Sequence, residues 1–330
     1  MSLGGRLLAG ALLALLLALP FVPMGVMSQY VLHVVIQIFV WSFIGQAWSL
    51  MGRFGLVSLG HGAFLGVGAY TTTLLWNYYS LTPWVGVLLA VAAAVAIAVV
   101  LGIPCFRFRV IGHYFALVTL AVGEVIRLLI IAERDWTGGS LGASLKTAGT
   151  ASGLWTLQFA DKRVFYYASL AVFLAGLWVW DRVDRSMARS ALEAIGEDET
   201  AAASVGIHVT RFKLGITVLS AALTAVGGVL YAQYISYVNP DTLSGIGVSL
   251  KIVFAVVLGG MYSLLGPLVG TALTTALSEG LRIAFGLKLL GMAETIYGLL
   301  LIIFIIFLPA GIYGSLHQLI RRRATKTAPA

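Results

Sequence analysis

The chain has 330 residues, of which 60% are hydrophobic and only 10% charged, with a mean hydropathy of +0.97. Soluble domains carry about 25% charged residues, so a soluble globular fold is excluded; the recurring apolar runs have the length that crosses a bilayer, about twenty residues each. The net charge of +8 does not mark a nucleic-acid protein, because Arg53, Arg107, Arg109, Arg182, Arg185, Arg189, Arg321, Arg322 and Arg323 sit at the ends of apolar runs, the pattern that orients membrane helices.

In chain order, apolar runs predict helices over 7–27, 29–51, 57–76, 84–104, 114–132, 164–181, 214–235, 249–265, 268–285 and 291–309. The first run begins after Arg6 like a secretory signal, but it continues past Pro20 toward Met27 and reads as a retained span. Ten spans put both termini on one side. Cations concentrate in the loops on that side, so the expected orientation is N-in and C-in with 182–213 in the cytoplasm. The runs at 57–76 and 249–285 are interrupted by glycine and polar residues, which is compatible with broken or re-entrant helices. The expected fold is therefore an all-α, polytopic bundle of eight to ten spans forming one transmembrane domain over 1–330.

Two segments between spans stand out. The outside loop, Glu133–Arg163, is rich in Gly, Ser and Thr and carries Trp136 and Trp155; it is a connector or a docking surface for an external partner. The inside segment 182–213 is charged and helical. Ser190–Ile195 reads as a short helix stopped near Gly196, and Asp198 is placed to cap a second helix with Glu199 in its first turn. Gly206 suits a left-handed terminator, and Thr210 is placed to cap the span beginning near Phe212. An idle loop has little need of two caps and an alanine face, so Ala201, Ala202 and Ala203 read as a docking surface.

Within the spans, Ser58, Gly62, Gly66 and Tyr70 recur every four residues, with Gly60 and Gly68 thinning the same segment. Such a stripe lets a neighbouring helix approach closely; alternatively its backbone groups, with Ser58 and His61, line the path of a polar solute. Gly259 and Gly260, followed by Gly266 and Gly270 around Pro267, repeat the style in the second half. Paired interruptions of this kind point to a substrate route between repeats. Glu124 with Arg127, and Glu279 with Arg282, are spaced to pair on one helix face. Each pair is structural or belongs to the path.

Absences bound the chemistry. The sequence has no G-x-x-x-x-G-K-[ST] phosphate loop and no H-E-x-x-H or Ser/His/Asp arrangement. Its single cysteine, Cys105, rules out an internal disulfide, and its five histidines have no metal-ligand spacing. These absences argue against an enzyme, and no catalytic residue, metal or cofactor of its own is expected.

The blocks SLGHGAFLGVGAY (58–70), GHYFALVTLAVGEVIRLL (112–129), WTGG (136–139), AIGEDETAAASVGIHVTRFKL (194–214), VVLGGMYSLLGPLVGTAL (256–273) and YGLLLIIFIIFLP (297–309) together resemble the M-type permease of branched-chain amino-acid ATP-binding-cassette importers. The resemblance covers most of the chain, with Leu141 where the family favours a polar residue and Gly196-Glu197 where an Arg-Asp pair is commoner. It implies a heterodimer with a homologous H-type permease in a prokaryotic inner or plasma membrane. It also implies two ATPase subunits that hold ATP and magnesium, and an external solute-binding protein. The coupling element it implies includes Glu193, Ala194, Gly196, Glu197, Asp198, Glu199, Ala201, Ala202 and Gly206. A urea or short-chain amide importer of the same architecture is the alternative.

Overall fold

The computed structural model describes residues 14–21, 26–149, 153–159 and 161–285, together with residues 295, 296, 298, 299, 302, 303, 311 and 312. Most of each expected span at 291–309 and 7–27 lies outside the described residues. Twelve helices are named here: α1 (Val26–Gly52), α2 (His61–Tyr79), α3 (Pro83–Arg107), α4 (Gly112–Ala132), α5 (Arg134–Thr137), α6 (Lys162–Asp184), α7 (Met187–Glu197), α8 (Glu199–Ser204), α9 (Val209–Ile235), α10 (Pro240–Leu243), α11 (Ile246–Gly259) and α12 (Gly266–Phe285). The chain is a polytopic helical membrane protein. Six stretches of the described residues are long and apolar enough to cross a bilayer, namely Gln29–Gly52, Pro83–Arg107, Gly112–Ala132, Lys162–Asp184, Val209–Ile235 and Pro240–Gly259. Helices α2 and α12 have 19 and 20 residues, about 30 Å each, but are more polar.

Helix α1 is the centre, packed against α6, α9, α11 and α12. Small residues set the rest. Gly86, Ala90, Ala94, Ala98 and Gly102 of α3 recur every four residues, and the three alanines are wholly buried where α3 meets α9. A Cβ at Gly68 of α2 would come within 2.2 Å of the Ala225 carbonyl of α9, and one at Gly228 of α9 within 2.1 Å of the Leu65 carbonyl. Backbones this close gain dispersion contacts that lipid cannot match. Helices α3 and α4 turn large apolar side chains outward, among them Leu88, Val100, Leu117 and Leu129, as lipid-facing helices do.

Several boundaries differ from the sequence reading. The helix expected over 57–76 begins only at His61, so Ser58 is not on it. Residues before His61 run non-helically into the bundle: the Trp48 indole N–H donates to the Ser58 carbonyl (2.8 Å), and the Leu59 N–H to Thr119 Oγ1 (3.0 Å). These bonds outweigh the small-residue periodicity. The span expected over 249–265 starts earlier and is cut short: α11 begins at Ile246, after a break from α10 at Leu243, and ends at Gly259 before Gly260, whose φ is 112°. At fourteen residues, α11 reaches about 21 Å and cannot cross a 30 Å core alone. The two interrupted helices meet inside the bundle, where the Gly62 N–H donates to Ser249 Oγ (2.9 Å).

One end of the bundle carries the turn after α1, the α3–α4 turn and the α7–α8 segment. The other carries residues 133–159 and the strand pair β1 (Ala143–Ser144) and β2 (Tyr237–Val238), antiparallel with Ala143 opposite Val238. The long loop is irregular, as its composition predicts, but tied down. Trp76 and Trp84 donate to the Lys146 and Leu154 carbonyls (2.7 and 2.8 Å), and Asn77 bonds both Ser144 O and Lys146 N. Trp136 and Trp155 remain exposed.

Candidate functional site

Helix α7 starts at Met187, earlier than the sequence suggested, and runs through Gly196 to Glu197. Its inward face is Ala191, Leu192 and Ile195, all buried; Glu193, Ala194, Gly196 and Glu197 are exposed. A charged lattice ties its start to the bundle. Arg53, almost wholly buried, donates to Asp184 (2.8 Å) and stacks on the Trp180 ring at 4.1 Å. Burial pushes the Arg53 pKa down, and the Asp184 carboxylate opposes that shift. Arg189 bridges the same Asp184 (3.1 Å) and Glu193 (2.8 Å); its hydrogen bond to Glu193 is the main reason its pKa is raised.

Asp198 ends α7 and caps α8, as its position predicts. Its carboxylate accepts from the Thr200 and Ala201 N–H groups at 2.7 and 3.0 Å, and these bonds, Ala201 first, hold its pKa below the usual carboxylate range. Glu199 is paired with Lys213 of α9, whose side chain is 7% exposed. Ala202 is buried, whereas Ala201, Ala203 and Val205 face outward. Of the three alanines expected to dock a partner, two are therefore exposed and one is turned into the bundle. Gly206 adopts φ 91° just past the helix, in the region that favours glycine. Thr210 does not cap α9: the helix begins at Val209, Thr210 lies in its first turn, and His208 is the capping residue without a side-chain bond. Open hollows of about 560 and 530 Å³ flank the module, the first against Arg53, Arg189, Glu193 and Tyr262, the second against Arg109, Asp198, Thr200 and Lys213. The anchors Arg53, Asp184 and Lys213 were not singled out from sequence, where each reads only as a charge at a helix end.

The residues considered for a solute path fall into two groups. Ser58, Gly60, His61, Gly62, Gly66, Gly259 and Gly260 are buried. A Cβ at Gly60 would lie 1.9 Å from the Thr119 carbonyl oxygen, at Gly66 1.7 Å from Ser244 Oγ, and at Gly259 1.9 Å from the Gly266 carbonyl oxygen. Glycine at these places lets α2, α4, α10, α11 and α12 touch. His61 bonds Ser220 Oγ through Nε2 (2.9 Å), while Ser220 donates its one proton to the Ala47 carbonyl (2.6 Å); His61 Nε2 is therefore the donor. Glu124 and Arg127 form the second group. They pair at 2.5 Å and remain part-exposed, and Arg127 also holds Asp241 of α10 at 2.6 Å. The second expected pair, Glu279 with Arg282, forms at 2.5 Å, and Glu279 also accepts from the Tyr30 hydroxyl (2.8 Å).

Comparison with known proteins follows the same lines. Residues 30–308 match the family model of the branched-chain amino acid transport system permease component. The chain is 32% identical over 298 residues to the high-affinity branched-chain amino acid transport system permease protein LivM of Escherichia coli strain K12, covering 84% of this chain and 68% of that one. The LivM protein of Salmonella typhimurium is 31% identical over the same shares. The high-affinity branched-chain amino acid transport system permease protein LivH of Escherichia coli strain K12 is 25% identical over 87% of this chain and 98% of its own. No solved structure matches. The match across 30–308, over a helical bundle with this polar module at one end, places the chain in the branched-chain amino acid transport system permease component family.

Proposed function

We propose that this chain is the M-type membrane subunit of an ATP-driven importer of branched-chain amino acids. The observation that carries the reading is the α7–α8 module, folded onto the bundle by Leu192, Ile195, Ala202 and Lys213 and presenting a polar, small-residue surface outward. A helix pair anchored this firmly moves with the spans. Force applied at Glu193, Ala194, Gly196, Glu197, Asp198, Ala201 or Val205 then reaches α9 through the Glu199–Lys213 pair and α1 through Arg53 and Asp184. The partner applying it is an ATPase subunit carrying ATP and magnesium, and Gly206 frees the chain to turn into α9.

The greater similarity to LivM than to LivH supports an M-type chain beside an H-type partner, with two ATPases beneath and an external binding protein above. The module end carries Arg53, Arg107, Arg109, Arg182, Arg185, Arg189, Arg211 and Lys213, against Arg134, Lys146, Lys162 and Arg163 at the other. That asymmetry supports a cytoplasmic module in a prokaryotic inner or plasma membrane, N-in and C-in, with 133–163 outside to receive the binding protein. Nothing in the named relatives favours the urea alternative. A photo-crosslinking residue at Ala201 in the assembled importer tests the coupling reading: it is expected to trap an ATPase subunit. No adduct there, with adducts formed from the opposite end at Trp155, would refute it.

A further inference from the structure

One charged side chain in the membrane-spanning region, Lys251, stands apart from the α7–α8 module and from the ion pairs. Lys251 lies on the outer face of α11, exposed, inside the apolar stretch Pro240–Gly259. Its ammonium sits over the Trp41 ring, 4.6 Å from the centroid; Glu279 of α12 attracts it from farther off, but no described carboxylate reaches ion-pair distance. The other intramembrane cations differ: Arg127 and Arg282 each have a carboxylate at 2.6 Å or less.

Depth makes this exposure costly. Trp41 is fifteen residues from the start of α1 and eleven from its end, about 22 and 16 Å along the helix, so Lys251 lies near the bilayer midplane. A lysine stem reaches roughly 6 Å, too little to snorkel to a headgroup across half of a core about 30 Å thick. Facing lipid there is untenable without an anion or water. The surroundings suit a ligand. Gln37, one turn from Trp41, accepts from the Trp41 indole N–H (3.0 Å), which leaves its amide N–H groups as donors beside the same ring. Helix α11 is also the interrupted helix, starting inside the bundle against α2; discontinuous helices near the midplane are where transporters hold polar solutes.

We propose that Lys251, backed by Trp41 and Gln37, is the midplane cation that receives the carboxylate of the solute during passage, and that this face of α11 lines the path shared with the second permease. The inference rests on the amino-acid import reading above. Trp41 stabilises the ammonium between solutes by cation–π attraction, which is weak enough to be exchanged for a carboxylate and regained when the solute leaves.

The test uses the complete importer in proteoliposomes, with leucine as solute. Losing a hydrogen bond to a charged group costs about tenfold or more, so Lys251→Met should lower leucine uptake by about that factor. Lys251→Arg should retain most of it, and ATP hydrolysis stimulated by loaded binding protein should persist in both. In parallel, Lys251→Cys should react with the membrane-impermeant anionic reagent sulfonatoethyl methanethiosulfonate during turnover, against the background of buried Cys105. Wild-type importer that moves leucine while Lys251→Met moves it equally well would overturn the proposal. So would a thiol at 251 that stays unreactive, the sign of a position sealed against lipid or partner. If wild-type importer moves no leucine, the import reading fails, and the thiol reaction alone then decides whether position 251 lines a path.

Discussion

The Glu199–Lys213 pair is where the coupling argument is most exposed to test. It joins the first turn of α8 to α9, with the Lys213 side chain 7% and the Glu199 side chain 19% exposed. Glu199→Gln would leave the ammonium buried beside Phe106 without its carboxylate. Breaking a buried pair from one side costs about 3–5 kcal/mol, and the low end, about 3 kcal/mol, applies because Glu199 reaches solvent. That is roughly a hundredfold shift toward states in which α8 is detached from α9. The double variant Glu199→Gln with Lys213→Met should regain most of the loss, since an apolar replacement of both partners leaves no charge stranded. Two assays read this: limited proteolysis at 199–206 in detergent, and the ratio of solute moved to ATP hydrolysed in proteoliposomes. Glu199→Gln should raise cleavage and lower the ratio, and the double variant should restore both. Unchanged cleavage and coupling in Glu199→Gln would refute the claim that this pair transmits motion.

Further outcomes follow from the same geometry. Gly60→Ala would drive a Cβ against the Thr119 carbonyl and should cost about 3 kcal/mol or more, read as a lower melting temperature. Gly215→Ala, on an open face of α9, should instead stabilise by about 0.5–1 kcal/mol. The Asp198 cap should depend on pH in a defined direction. Its folded pKa is depressed, so the stability it adds is present above its unfolded pKa and lost as pH falls through the lower, folded value. The protection of the Thr200 and Ala201 amides, relative to their intrinsic exchange rates, should fall in that acidic window, and Asp198→Asn should abolish the pH dependence while keeping partial protection. Arg127→Gln leaves Glu124 and Asp241 facing each other and should loosen α10 from α4 by about 1–2 kcal/mol, given the exposure of Asp241; differential scanning of the purified protein measures it.

Hydropathy made most of the long helices legible, because lipid demands about twenty apolar residues per crossing whatever the packing. The cap at Asp198 was legible too, since the carboxylate acts on N–H groups two and three residues away. The start of α2 was not. A four-residue spacing of small side chains continues through Ser58, and only tertiary bonds from Trp48 and Thr119 hold that stretch out of the helix. The inward face of α8 was equally hidden, because Ala201, Ala202 and Ala203 are chemically identical and only the docking of α8 on the bundle chooses Ala202. Gly62, Gly66, Gly68, Gly259 and Gly270 signalled close approach, and each of them meets a neighbouring segment. Lys251 drew no notice in the sequence because a single lysine inside an apolar run carries no spacing signal; depth and exposure give it meaning.

The import reading stands or falls on ATP-driven uptake of labelled leucine into vesicles holding this chain with its neighbouring permease, ATPases and binding protein. Isoleucine, valine, urea and ribose serve as unlabelled competitors. Uptake should need ATP and be reduced by isoleucine and valine but not by urea or ribose. ATP-independent uptake, or competition by urea alone, would contradict that reading.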